Sequence, residues 1–135
     1  MKAIAFIAVL LLLGSNVQAQ TLTAAQAKAH EGETATVCGV VASEHTATSS
    51  RGVPTFINLD SAYPKQLFTI LIWEEGRNIV GELPHTGSRV CAIGLIEDYR
   101  GVPKIVVKSR GQFQFPASSL EKITELEARV LMLGS

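Results

Sequence analysis

Five short β-rich runs, polar or glycine-proline breaks between them, and a longer connection before the fourth run predict a mainly β chain. The runs are Thr34 to Ala42, Pro54 to Asp60, Leu67 to Trp73, Arg89 to Ile96 and Lys104 to Val107. Their number and order fit a five-stranded Greek-key barrel of the OB type, preceded by a short helix and followed by an amphipathic one. A chain of 135 residues suits one such domain. The expected division is a signal peptide at 1–19, a helical lead-in at 20–32, the barrel at 33–115 and a C-terminal helix at 116–135.

At the N-terminus, Lys2 supplies a positive start, Ala3 to Leu13 is continuously apolar, and Val17-Gln18-Ala19 has the small-x-small pattern of a cleavage site. The apolar run is shorter than the ~20 residues of a membrane span. Cleavage would leave Gln20 first and a periplasmic or secreted protein; an uncleaved N-terminal anchor is the alternative. Thr23 is placed to cap a short alanine-built helix, Ala24 to His30, that ends at Gly32.

Within the first strand, Gly39 suggests a bend or bulge, and Ser43 to Gly52 reads as a polar loop. The second strand is followed by a turn, Ser61 to Gln66, around Tyr63-Pro64. The third strand is so apolar that it is expected to be buried on both faces. Alternation sets Phe68, Ile70 and Ile72 on one face and Thr69, Leu71 and Trp73 on the other, and leaves open which of the two faces outward. Glu74 to Gly87 reads as irregular, with one helical turn near Asn78 to Leu83. The fourth and fifth strands form a hairpin around Tyr99-Arg100-Gly101-Val102-Pro103. After Pro116, Ser118 and Glu121 have capping-box spacing, and Leu120, Ile123, Leu126, Val130 and Leu133 recur at helical spacing. That helix either packs on the barrel or forms a homodimer seam, since the spacing also has an a/d rhythm over a short length.

Charge limits the function classes. Without Lys2, eleven basic residues face twelve acidic ones, a formal charge of −1. Such a chain has no bulk attraction for nucleic acid or an anionic membrane, which argues against a tight, non-specific polyanion binder and leaves room for a local basic patch. The two cysteines, Cys38 and Cys91, sit in similar β-rich settings. In an exported chain they are expected to form one disulfide, with Cys38 opposite Cys91 on antiparallel strands, Thr36 opposite Ile93 and Val40 opposite Arg89. Two buried free thiols are the alternative. No CxxC redox site is present.

The tetrapeptide Arg-Gly-Val-Pro occurs twice, at Arg51 to Pro54 and Arg100 to Pro103. Both copies put an arginine in a hairpin loop. In an OB barrel the loops between strands one and two and between strands four and five flank the binding face, and the two arginines are expected at one mouth of it.

The segments VCGVVAS, GVPTFINLD, FTILIW and RVCAIGLIEDYRGVPKIVV resemble the small bacterial OB-fold domains of the nucleic-acid-binding (tRNA-anticodon-like) superfamily. The resemblance covers about residues 32 to 115 and is strongest over 89–107. It implies a closed barrel with its ligand face on strands two and three, and it places both cysteines where exported members have theirs. Similar domains occur alone in exported proteins and beside nuclease domains. The resemblance is specific for the fold rather than the ligand, because OB barrels take nucleic acid, oligosaccharide or protein.

Single strands are held by aromatic stacking and by cations along the backbone. The candidate nucleic-acid-binding residues are therefore Arg51, Tyr99, Arg100, Lys104 and Lys108, with Phe56 and Trp73 on strands two and three. The plainer reading makes Phe56, Phe68 and Trp73 core residues and the two arginines ordinary hairpin tips. His30, His45 and His85 have no metal-ligand spacing, and Glu74-Glu75 and Glu97-Asp98 are adjacent pairs that a strand would split between faces. Thermonuclease-type nucleases share the barrel architecture, but their aspartate pair and Arg/Glu/Arg set have no counterpart; Asp60 and Asp98 are the only aspartates. The expectation is a binding module, not an enzyme, with no cofactor and no metal. Its partner is single-stranded DNA or RNA, or else a protein, a second copy of the chain through the C-terminal helix, or a small ligand.

Overall fold

In the computed structural model residues 20–116 and 119–134 are described, with side chains from 124 onward in the last helix. The predicted signal peptide and the predicted Ser118–Glu121 capping box lie outside the described residues. Eight strands and two α-helices follow in the order β1 (Thr21–Thr23), β2 (Thr34–Thr46), β3 (Thr55–Leu59), β4 (Phe68–Ile72), α1 (Glu74–Val80), β5 (Arg89–Leu95), β6 (Glu97–Tyr99), β7 (Val102–Val106), β8 (Phe113–Gln114) and α2 (Ser119–Leu133). Short 3₁₀ helices occupy Ala24–His30 and Arg110–Gln112.

The thirteen-residue strand β2 organises the sheet. Its first half, 34–40, pairs antiparallel with β5; its second half, 41–46, pairs antiparallel with β3, across a register shift between Val41 and Ser43. One extra residue there bends the strand so that it serves both walls of the barrel. The bulge falls at this point rather than at Gly39. Gly39 has a different reason: a Cβ there would stand 2.9 Å from Asp60 Oδ1, the atom that accepts from the Val40 N–H. Ser43 to Thr46, expected as loop, continue the strand, because cross-strand pairing with Thr55 to Asn58 outweighs their weak β preference.

From β3 the sheet runs antiparallel to β4 and then parallel to β7. The predicted fourth strand is two: β5 pairs with β2, and after Ile96 the chain continues as β6, which pairs with β7. Residues 89–99 thus act as one bent strand bonded to β2 in its first half and to β7 in its second. This closes the circuit one–two–three–five–four–one of an OB barrel. Gly94 lies at the closure, where a Cβ would come within 2.8 Å of Ile105 Cγ2. β7 begins at Val102 and carries Pro103 opposite Asp98, so the hairpin turn is shorter than the five residues expected.

Phe68, Ile70 and Ile72 of β4 point into the barrel and are fully buried with Ile57, Leu59, Val37, Val90, Ile96 and Ile105. Each such side chain contributes about 1.5–3 kcal/mol by leaving water. Thr69 and Leu71 face outward and are buried as well, so β4 is covered on both faces as its composition predicts. Trp73 does not belong to the strand. It is the N-cap residue of α1, which starts at Glu74, earlier than the predicted turn at 78–83. Two glutamates in the first turn favour the helix start, and Gly81 at φ 80° ends it.

The N-terminal segment seals the barrel. β1 runs parallel to β2, and Leu22, Ala24 and Ala27 join the core. Thr23 and Gln26 form the capping box: Thr23 Oγ1 accepts from Gln26 N at 3.3 Å and Gln26 Oε1 accepts from Thr23 N at 3.0 Å. Cys38 and Cys91 are disulfide-bonded and directly opposed, with Thr36 opposite Ile93 and Val40 opposite Arg89, the predicted register. The described side chains of α2 do not pack on the barrel: Leu126, Val130, Leu131, Met132 and Leu133 are exposed. No helix of the described residues is long and apolar enough to cross a membrane.

Candidate functional site

Register determines which side chains share the outer face of β2, β3, β4, β7 and β6. One row is Ser43, Asn58, Thr69, Lys104 and Glu97, each opposite the next. The next row toward the end of β4 is His45, Phe56, Leu71 and Val106. The first row is wired together. Asn58 Nδ2 donates to Ser43 Oγ at 3.0 Å, and Thr69 Oγ1 donates to Asn58 Oδ1 at 3.0 Å. A buried amide so satisfied holds the strands in register at little cost. Lys104 and Glu97 end the row as an ion pair 3.7 Å apart, the Lys104 side chain only 13% exposed.

The Tyr99 ring reaches over this face to within 6.0 Å of the Phe56 ring, centroid to centroid. Lys104 Nζ and the Arg100 guanidinium each lie 5.4 Å from the Tyr99 centroid. Tyr99, Phe56 and Lys104, all half-buried, therefore form a closed cluster in which each already has a partner. Its cations are held by a ring and a carboxylate, an arrangement that suits positioning better than capture of a ligand.

Trp73 is different. It stands at the end of β4, 37% exposed, over the loop that carries Arg51. Gly52, at φ +77°, lies against its indole; a Cβ at Gly52 would come within 2.9 Å of Trp73 Cε3. Glu74 N donates to Gly52 O at 3.1 Å and ties the loop to the start of α1. Beside the indole, a groove of about 460 Å³ is lined by Trp73, Leu95, Glu97, Lys104, Val106, Lys108 and Gln112. Val106 lies opposite Leu71, so Lys108, two residues on, is level with Trp73. Arg51 and Lys108 are both exposed and have no ion-pair partner among the described residues.

Gln112, which has capping-box spacing to Ser109, builds the groove wall. Its Nε2 donates to Ile93 O at 3.0 Å and Val106 O at 3.1 Å, and its Oε1 accepts from Lys108 N at 2.7 Å and Ser109 N at 3.1 Å. One amide thus clamps β5 to the end of β7 and sets the backbone of Lys108.

The predicted site residues accordingly divide. Arg51, Trp73 and Lys108 gather at the end of β4; Phe56, Tyr99, Arg100 and Lys104 form the paired cluster, with Lys104 also lining the groove beside Trp73. The arginines do not share a mouth. The β2–β3 loop lies beyond the Thr55–Ile72 end of the sheet, and the β6–β7 turn lies beyond the opposite end, because Val102 enters β7 where β4 begins. The ends are about 17 Å apart, the length of a five-residue strand. Nor are the two tetrapeptides the same turn. Arg100 and Gly101 have φ 51° and 87°, the two positive angles of a two-residue hairpin, whereas in the first copy the positive pair is Gly52 and Val53, at 77° and 42°. Among the described residues no three of His, Cys, Asp and Glu converge as metal ligands would.

No protein-family model and no curated protein matches the chain. The solved structures similar to it include the telomere capping protein Ten1 from Saccharomyces pombe, at 9% sequence identity over 85% of this chain and 99% of that chain, with a TM-score of 0.45. The S. pombe Stn1–Ten1 complex is similar at 11% identity, over 89% of this chain and 97% of the matched chain, with a TM-score of 0.42. At this level of likeness, the OB barrel of this chain follows from its own strand pairing.

Proposed function

We propose that this chain is an exported OB-fold module that binds single-stranded nucleic acid weakly and does no chemistry on it. One observation carries the reading: an exposed tryptophan stands at the end of the sheet beside an open groove, near two exposed cations, Arg51 and Lys108, that have no ion-pair partner among the described residues. A base stacks on the indole while the cations meet flanking phosphates, the combination that holds single strands without sequence preference. With two phosphates met, the affinity falls with salt at a log–log slope of about −1.4. The near-neutral charge of the whole chain agrees with weak binding.

The chain has one tryptophan, so its fluorescence reports Trp73 alone. Titration with an oligothymidylate at low and moderate salt should change that fluorescence, less so at the higher salt. Trp73→Ala should weaken binding by about 1–3 kcal/mol when followed by a labelled strand. Unchanged fluorescence together with no retention of the labelled strand would remove the reading. Strand fragments after incubation would overturn its non-catalytic part. Export is tested by the N-terminus of the protein recovered from the periplasm or medium, expected at Gln20.

A second reading, association with a protein or a second copy through α2, is favoured by the exposed Leu126, Val130 and Leu133 on one helical face. A monomeric mass at high concentration would exclude the second copy.

A further inference from the structure

We propose that the loop 61–67 carries a second contact for the strand held at Trp73, with Tyr63 as stacking platform and Lys65 as phosphate partner. This rests on the nucleic-acid reading above and adds to it a path and a minimum length.

Tyr63 is the most exposed aromatic residue among those described, at 74%, and its ring has no ring or cation partner there. Lys65 is exposed and without an ion pair among the described residues. The loop is nevertheless fixed to the outer face. Tyr63 N donates to Ser43 Oγ at 3.3 Å, the same oxygen that accepts from Asn58 Nδ2, so the buried row across β2, β3 and β4 ends at the Tyr63 backbone. Lys65 N donates to Ala62 O at 2.9 Å and closes the turn. An exposed ring on an anchored backbone is a low-entropy platform, as is Trp73.

The two platforms stand at diagonal corners of one face. From the Ser43–Asn58–Thr69 row to Trp73 is four residues along β4, about 13 Å, and from β2 to β4 is two strand spacings, about 10 Å. The diagonal is about 16 Å, or about five nucleotides of a stacked strand at roughly 3.4 Å each. This lies at the small end of the range for one OB fold. Between the corners the face presents the exposed His45, which lies opposite Phe56. A tetranucleotide can occupy one corner and not span to the other; a dodecanucleotide reaches both.

The test compares fluorescein-labelled oligothymidylates of four and twelve nucleotides on the full chain and its variants. Tyr63→Ala should weaken the dodecamer about fivefold or more and leave the tetramer within about twofold. Tyr63→Phe should keep wild-type affinity, since stacking needs the ring and not the hydroxyl. Lys65→Ala should make the salt slope on the dodecamer shallower by about 0.7. Trp73→Ala should weaken both lengths. If Trp73→Ala weakens both while Tyr63→Ala alters neither, or alters both equally, the second contact is wrong and the Trp73 site stands. If the wild-type protein retains neither oligomer, the nucleic-acid reading falls and the second contact with it. The ring is exposed and only the backbone of Tyr63 is anchored, so its loss leaves the barrel folded, which the unfolding midpoint of Tyr63→Ala checks.

Discussion

At the residue scale the two glycines of the repeated tetrapeptide separate what the sequence makes look equal. Both Gly52 and Gly101 have φ in the left-handed region, 77° and 87°. A Cβ on Gly101 would meet nothing within 4 Å, whereas one on Gly52 would meet the Trp73 indole at 2.9 and 3.1 Å. Gly101→Ala should therefore cost only the backbone penalty, about 1–2 kcal/mol. Gly52→Ala should cost more and should also shift Trp73 emission, because the indole must move. Denaturant unfolding and the emission maximum of both variants check this; equal losses with unchanged emission would mean that the indole does not rest on the loop. Gln112 teaches the complementary lesson. Four hydrogen bonds converge on one amide; the Ser109–Gln112 capping-box spacing announces the one from Ser109 N, and nothing local announces the two to the carbonyls of Ile93 and Val106.

At the element scale the decisive pairing is β2 with β5, which joins the first half of the barrel to the segment that closes it. The disulfide Cys38–Cys91 staples this pair across a sequence separation of 53 residues. In the chain-entropy model a loop of that length contributes about 4 kcal/mol. The double variant Cys38→Ala with Cys91→Ala should lose a stability of that order in equilibrium denaturation, and reduction of the wild-type protein should lose a similar amount. A loss below about 1 kcal/mol would show that the residual structure of the unfolded chain, not the loop, sets the balance.

At the scale of the whole molecule the described side chains of α2, from 124 onward, stand apart from the barrel core. The core draws on β1 to β5, β7 and β8, the lead-in helix at 24–30 and Val80 of α1, and no described side chain of α2 belongs to it. Truncation after Pro116 should leave the cooperative unfolding of the barrel intact, with a midpoint within about 3 °C of the full chain. Loss of the transition in the truncated protein would show that α2 rests on the barrel in solution.

What could be read without the structure was whatever depends on short-range pattern. The β-rich runs, the helix capped by Thr23, the opposition of Cys38 and Cys91 and the double burial of the third strand all follow from period, turn chemistry and the pairing of similar segments. From those the barrel class was legible. Of the site, Arg51, Trp73 and Lys108 were legible as residue types; their company was not. Three matters required the folded chain. The pleat has period 2, so whether Phe68 or Thr69 faces the core is set by the register of β4 against β3 and β7, which no local signal marks. The ends at which the two arginine loops emerge depend on the parallel register of β4 with β7, a long-range pairing. Tyr99 and Lys104, which look like free contacts along the strand, are already engaged by Phe56 and Glu97 across it. Local sequence thus determined the elements and their chemistry, and tertiary register determined which of those residues remain free to bind, because freedom to bind is what is left after neighbours distant in sequence have made their contacts.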